Sequence, residues 1–197
     1  MKNKFLFVPI SAVLLLTGCA VTTESIDIPY NSIQGVTRIS EASAVTVSVQ
    51  AQDERSDKSK VSSKKNAWGT EMAPILANQK VEITVRHAIE EELVSRGFKL
   101  TQPTKVKISV NISKFYNDFK VSMDAIAVAD FHIDVVVVKS DTNEQIYHRQ
   151  IATQGMEASS VMGGGNASLA LSQALKNGIE MLFSDSAFTS ALLSTAK

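Results

Sequence analysis

Asp130, His132 and Asp134 alternate with apolar residues in "VADFHID" (128–134). In an extended chain all three fall on one face, and carboxylate and imidazole groups are ligands for divalent ions. The outer two would stand roughly 13 Å apart. One ion cannot span that distance unless a neighbouring strand adds ligands, and His148 is the one candidate. A polar outer sheet face explains the run better, so no metal site is expected. A two-residue turn at Asp141-Thr142 would set Asp134 opposite Arg149 as a cross-strand salt bridge.

Asp53-x-Arg55-x-Asp57 is the densest charged motif. If a strand continues through it, the three side chains share a face, about 6–7 Å apart in successive pairs. Arg55 can then hold two carboxylates and fix the loop that follows; turned outward, it would offer an anion or partner contact. Lysines 58, 60, 64 and 65 come next, with Trp68, the single tryptophan, close behind. Charge runs of this kind are mostly solvated. Contact with anionic headgroups or a glycan is the functional alternative, and Trp68 adds an interfacial or partner contact. Asp53, Arg55, Asp57 and Trp68 are therefore the candidate partner-binding residues. "GGGN" (163–166) precedes an apolar helical pattern. It lacks the Lys-Ser/Thr ending of a phosphate loop and the spacing of a dinucleotide fingerprint, so it reads as a flexible link with Asn166 or Ser168 as cap. No grouping of nucleophile, base and acid suggests catalysis. The chain is read as non-enzymatic, with no cofactor.

The elements that must carry these residues follow from hydrophobic period. Val45, Val47, Val49 and Ala51 alternate with polar residues as a half-buried strand over 43–52. "EMAPIL" (71–76) is a candidate extra strand, and Pro74 confines it to an edge. Val81, Val85, Ile89 and Leu93 recur every four as a helix over 78–97. Asn78 is its cap, the run Glu90, Glu91 and Glu92 includes the solvent side, and Gly97 supplies the left-handed exit. Val106 to Ile112 alternates again. A turn is expected near Asn117-Asp118, then a long strand over 121–138 whose alanines would let a helix pack close. A fourth strand spans 144–155. Leu171, Leu175, Ile179 and Leu182 mark a second helix, and Ser184-Asp185-Ser186 stops it and caps a short terminal one. The order β-α-β-β-β-α predicts an α+β two-layer sandwich. Its sheet is mainly antiparallel, with four strands or five if 71–76 joins, and both helices cover one face.

The start of the chain has a different character. Lys2 and Lys4 precede a short apolar run, Phe5–Leu16, too brief to cross a bilayer and suited to a signal peptide over 1–18. Leu16-Thr17-Gly18-Cys19 resembles the bacterial lipobox, in which the cysteine thiol takes a diacylglyceryl group and the freed amine is acylated. Two or more chains anchor stably where one does not. Ala20, in place of the inner-membrane Asp of the sorting rule, points to the outer membrane, facing the periplasm. Residues 19–42 are polar and weakly patterned, a lipidated tether, leaving 43–197 as a single domain. Basic and acidic residues balance at 20 each, which gives no global attraction to nucleic acid. The lone cysteine cannot form an internal disulfide.

The lipobox, "VTVSVQAQDERSD" (45–57), "SRGF" (95–98), "VKISVNISKFYND" (106–118) and "ALKNGIEMLFSD" (174–185) resemble the YajG family of bacterial lipoproteins, in the same order over most of the chain. That resemblance implies a lipidated envelope protein and brings no catalytic residues. The functional expectation is a membrane-anchored, non-catalytic module that binds another envelope protein or assembly through a sheet edge or polar sheet face. Small-ligand or glycan binding is the alternative.

Overall fold

A computed structural model of the chain describes residues 22–120, 125–159 and 163–196. The expected signal peptide, Cys19, Ala20 and residues 121–124 of the long strand lie outside the described residues. Along the chain the elements are β1 (Glu24–Ile26), a 3-10 turn (Ser40–Ala44), β2 (Val47–Asp53), β3 (Ser62–Lys65), β4 (Glu71–Ala77), α1 (Val81–Ser95), β5 (Val106–Lys120), β6 (Ala125–Lys139), β7 (Gln145–Ser159), α2 (Gly164–Phe183) and α3 (Ser186–Leu193).

Four strands form the main sheet in the order β2-β5-β6-β7. β2 lies parallel to β5 with α1 as the crossover, and β5, β6 and β7 form an antiparallel meander. The fold is the expected α+β arrangement, with helices packed against the sheet. "EMAPIL" does form a strand, but in a separate three-stranded sheet of order β1-β4-β3. Pro74 sits there opposite Ser63, so the main sheet keeps four strands. Glu24–Ile26, inside the stretch read as a tether, adds to β4 in parallel.

The alternation in β2 and β6 sorts the faces as the residues require. Val47 and Val49 of β2, and Ala127, Ala129, Phe131, Ile133, Val135 and Val137 of β6, are buried toward the helices. β5 departs from expectation. No turn occurs at Asn117-Asp118; the strand runs on to Lys120. A bulge between Ile112 and Lys114 shifts the register by one residue. The inward set therefore changes parity, from Val106, Ile108, Val110 and Ile112 to Phe115, Asn117 and Phe119, all buried. A bulge opposes two residues to one and reverses every later side chain, which broke the pattern on which the strand was read.

α2 lies directly over β6 and β7. A Cβ on Gly155 would fall 2.1 Å from the Ala170 carbonyl oxygen and 2.4 Å from the Ala174 nitrogen, so helix backbone rests against strand backbone there. The Thr153 hydroxyl donates to the Ala174 carbonyl at 2.9 Å across the same seam. Phe115 and Phe131 meet edge-to-face at 5.3 Å beneath it.

Helix ends differ from the sequence reading in two places. Lys80, not Asn78, is the N-cap of α1; the Asn78 amide instead donates to Asp27 at 2.9 Å. Gly163 is the N-cap of α2, and Ser168, proposed for that role, donates its hydroxyl to the Asp27 carbonyl at 2.6 Å. Both side chains are drawn off by the segment after β1. Glu92, the last of the acidic run that includes the solvent side, is fully buried. Its carboxylate accepts the Tyr30 hydroxyl and the Ile33 N–H, each at 2.8 Å, and pairs with Arg96. Arg96 in turn lies over the Phe183 ring, 4.3 Å from its centre. Burial, then the Glu92 carboxylate, raises the Tyr30 pKa above the usual phenol range. Gly97 takes the expected left-handed exit at φ 99°. Asp185 caps α3 by accepting the Ala187 N–H at 2.9 Å.

Candidate interaction surface

Arg55 sits just past the end of β2, and the loop from Glu54 to Lys60 folds around it. Its guanidinium is spent inward. Nε and one terminal nitrogen grip both oxygens of Asp53, at 2.9 and 2.8 Å. The other terminal nitrogen donates to the Lys60 and Phe115 carbonyls at 2.9 and 3.1 Å. Only 6% of Arg55 is exposed. The single carboxylate that it holds is Asp53. Asp57, exposed, accepts instead from the Ser59 N–H and hydroxyl. Although burial opposes it, the Arg55 hydrogen bonds hold the Asp53 carboxyl below the usual carboxylate range. The motif thus ties the β2 exit to β5 at its bulged half. Arg55→Lys keeps the charge but loses the fork and strands at least one buried carbonyl. It is expected to cost about 2 kcal/mol in urea unfolding. In a double-mutant cycle with Asp53→Asn, a coupling below about 0.5 kcal/mol would contradict this structural role.

Three of the four lysines are paired. Lys60 meets Glu71 at 2.5 Å, Lys64 meets Glu24 at 3.1 Å, and Lys65 meets Asp118. Trp68 is not drawn in. It stands at the tip of the β3–β4 hairpin, 88% exposed. The turn beneath it is well held: the Asn66 side chain accepts the Trp68 and Thr70 N–H groups at 3.0 and 2.9 Å, and Gly69 takes φ 80°.

Asp130, His132 and Asp134 do share the outer face of β6, and both carboxylates meet neighbouring side chains. Asp130 pairs with Lys114 at 2.7 Å and accepts from Gln154 at 2.7 Å. Asp134 lies beside Gln150 in the register and contacts His148 at 2.7 Å. The expected Asp134–Arg149 bridge is absent because a bulge at Ile146 in β7 shifts the register by one residue: Val138 faces Gln145, but Val137 faces Tyr147. The bulge moves Arg149 to the inner face, where it donates to Asp185 at 2.7 Å. Tyr147 donates to the same carboxylate at 2.9 Å, and burial, then that hydrogen bond, pushes its phenol up to about 12. Among the described residues no group of three His, Cys, Asp or Glu side chains is placed to hold a metal.

Two features escaped sequence reasoning. One is which strands form the edges of the main sheet, β2 on one side and β7 on the other. β7 is an edge strand of 15 residues with neither lysine nor proline, the residues that commonly blunt such edges. Asn177 of α2 donates to the Gln154 carbonyl at 2.7 Å, so that carbonyl points away from β6. Strand length alone would have signalled it, had the strand order been known. The other is a cleft of about 690 Å³ between the Arg55 loop and the start of α1, lined by Asp53, Arg55, Lys58, Asn78, Lys80 and Glu82 among others.

Solved structures of other bacterial proteins share the overall fold. XCC0632 from Xanthomonas campestris is 12% identical with a TM-score of 0.58, over 84% of this chain and 96% of that one. A Helicobacter pylori protein described as a "putative neuraminyllactose-binding hemagglutinin homolog" is 9% identical with a TM-score of 0.53, over 86% and 97%. At these identities the likeness is one of fold. No curated protein matches the sequence. Residues 33–192 match the family model described as "Uncharacterized lipoprotein", and the chain belongs to that family. Membership makes it a lipid-anchored protein of the envelope. Among the described residues no helix is long and apolar enough to cross a membrane.

Proposed function

We propose that this chain is a YajG-type lipoprotein, acylated on Cys19 and held at the outer membrane facing the periplasm. There it acts without catalysis, as a module that binds another envelope protein by strand addition along β7. The lipobox and Ala20 support the placement, and family membership supports the anchor. The observation that carries the binding role is the β7 edge, whose long row of backbone groups is unpaired by any strand among the described residues. Such edges recruit extended segments through main-chain hydrogen bonds. Asp53 and Arg55 serve this role indirectly by fixing the β2 exit, while Asp57 is free to meet a partner at the surface.

The test is site-specific photo-crosslinking in cells from Gln150, exposed on β7. One envelope protein should be captured. Ala152→Pro should abolish the adduct while leaving the circular dichroism unchanged. Ala152 lies two residues from Gln154, so its N–H also points outward, and proline there removes an edge donor without costing a bond to β6. Adducts indifferent to this change would refute strand addition. Small-ligand or glycan binding is the second reading, favoured by the polar cleft beside Arg55 and Lys58.

A further inference from the structure

Cys19 stands five residues before Glu24. An extended chain covers at most about 3.6 Å per residue, so the two Cα atoms lie within roughly 18 Å of each other. β1 runs parallel to β4 with Glu24 beside Ile75. Tracing β1 backward therefore follows β4 backward, toward Glu71 and the Trp68 turn. The strand from Ile75 to Glu71 spans about 13 Å and the turn extends further, so even a fully extended leash could not carry Cys19 far beyond the hairpin tip.

Other contacts place the same end of the molecule together. Glu24 pairs with Lys64 and accepts the Gly164 N–H at 3.2 Å, at the start of α2 just beyond β7. Lys65, next to the hairpin turn, shares Asp118 with Lys120, the last residue of β5. This end exposes apolar side chains: Trp68, Met72, Ile126 and Met156, the last 62% exposed. Ile126 and Met156 flank Val128 on the outer sheet face. The charges among them are largely compensated by the pairs just named.

We propose that this end of the domain docks on the lipid surface that holds acylated Cys19, with the Trp68 indole seated at headgroup level. The inference rests on the lipidation of Cys19. Tryptophan favours that level because its ring is apolar while its N–H can stay hydrated. A protein partner does not fit between this end and the bilayer: a small domain is about 30 Å across, more than the leash allows. The anchor holds the end at the surface, so the weak insertion of a few side chains becomes an intramolecular event at high effective concentration. The docked domain would leave β7 running away from the membrane.

Trp68 is the single tryptophan, so its fluorescence reports this contact alone. Full-length acylated protein is reconstituted into phosphatidylethanolamine–phosphatidylglycerol vesicles, with and without phospholipid brominated near the headgroup. The expected result is an emission maximum shifted to the blue of the unacylated Cys19→Ser protein in buffer, and roughly twofold quenching by the brominated lipid, as for an interfacial indole. Protein that floats with the vesicles yet keeps a solvent-like, unquenched emission overturns the docking and leaves the anchor standing. Protein that carries no lipid and does not float defeats the Cys19 reading, and the docking with it.

Discussion

Glu92→Ala is expected to destabilise the fold by about 3–5 kcal/mol, the range for removing one partner of a buried ion pair. The carboxylate is fully buried on α1 and serves three donors: Arg96, the Tyr30 hydroxyl and the Ile33 N–H. Alanine orphans all three at once and leaves Arg96 with only its ring contact to Phe183 and nearby neutral oxygens. In a chain of this size each kcal/mol moves the thermal midpoint by about 2–4 °C, so a fall of roughly 10 °C is expected. The segment between β1 and β2 should also become sensitive to protease, because Tyr30 and Ile33 fasten it to the helix through this one group. Glu92→Gln keeps an acceptor for Tyr30 and Ile33 and removes only the charge pair, so its loss should be smaller. If Glu92→Ala cost under about 1 kcal/mol in urea unfolding, the site would be behaving as an exposed ion pair, and the account of how the N-terminal segment is held would be wrong.

Gly155→Val should be the next most damaging change, at about 3 kcal/mol or more, the upper range for overpacking. The obstacle is backbone. The new Cβ would meet the Ala170 carbonyl and the Ala174 nitrogen well inside contact distance, and neither can rotate away. α2 must lift from β7, opening the Thr153–Ala174 hydrogen bond and the core beneath it. Gly178→Ala is the control. Its Cβ would meet the Phe131 ring at 2.5 Å, a side chain that can tilt, so the loss should be less. Thermal denaturation with near-ultraviolet circular dichroism reads both. A Gly155→Val protein as stable as the parent would show that helix and strand do not touch as described.

These two sites illustrate what could be read in advance. Gly97 and the Asp185 cap were legible because a left-handed exit and a helix N-cap are local demands, met within a few residues. The inward face of β6 was legible because its six buried residues keep strict alternation. Glu92 was not, because its neighbours in sequence, Glu90 and Glu91, are what a solvated helix face carries. Its burial depends on Tyr30 and Ile33, some sixty residues away. Phe115 and Phe119 were lost to the bulge, which leaves each residue reasonable and alters only their phase. Among the candidate partner-binding residues, the sequence could not separate Arg55, folded inward on two carbonyls, from Trp68, standing clear. That difference is set by the Phe115 carbonyl on another strand.

From the order of residues alone came the succession of apolar periods that becomes a sheet with helices packed against it. Each depends on neighbours within a turn or a strand, where spacing along the chain is distance in space. Tertiary structure alone decided that "EMAPIL" joins a second sheet, that β7 is an edge strand of the main one, and that β1 starts from the end of the domain that carries Trp68. Those outcomes depend on which distant strands pair and in what register, and that choice is made by the shared burial of the whole core.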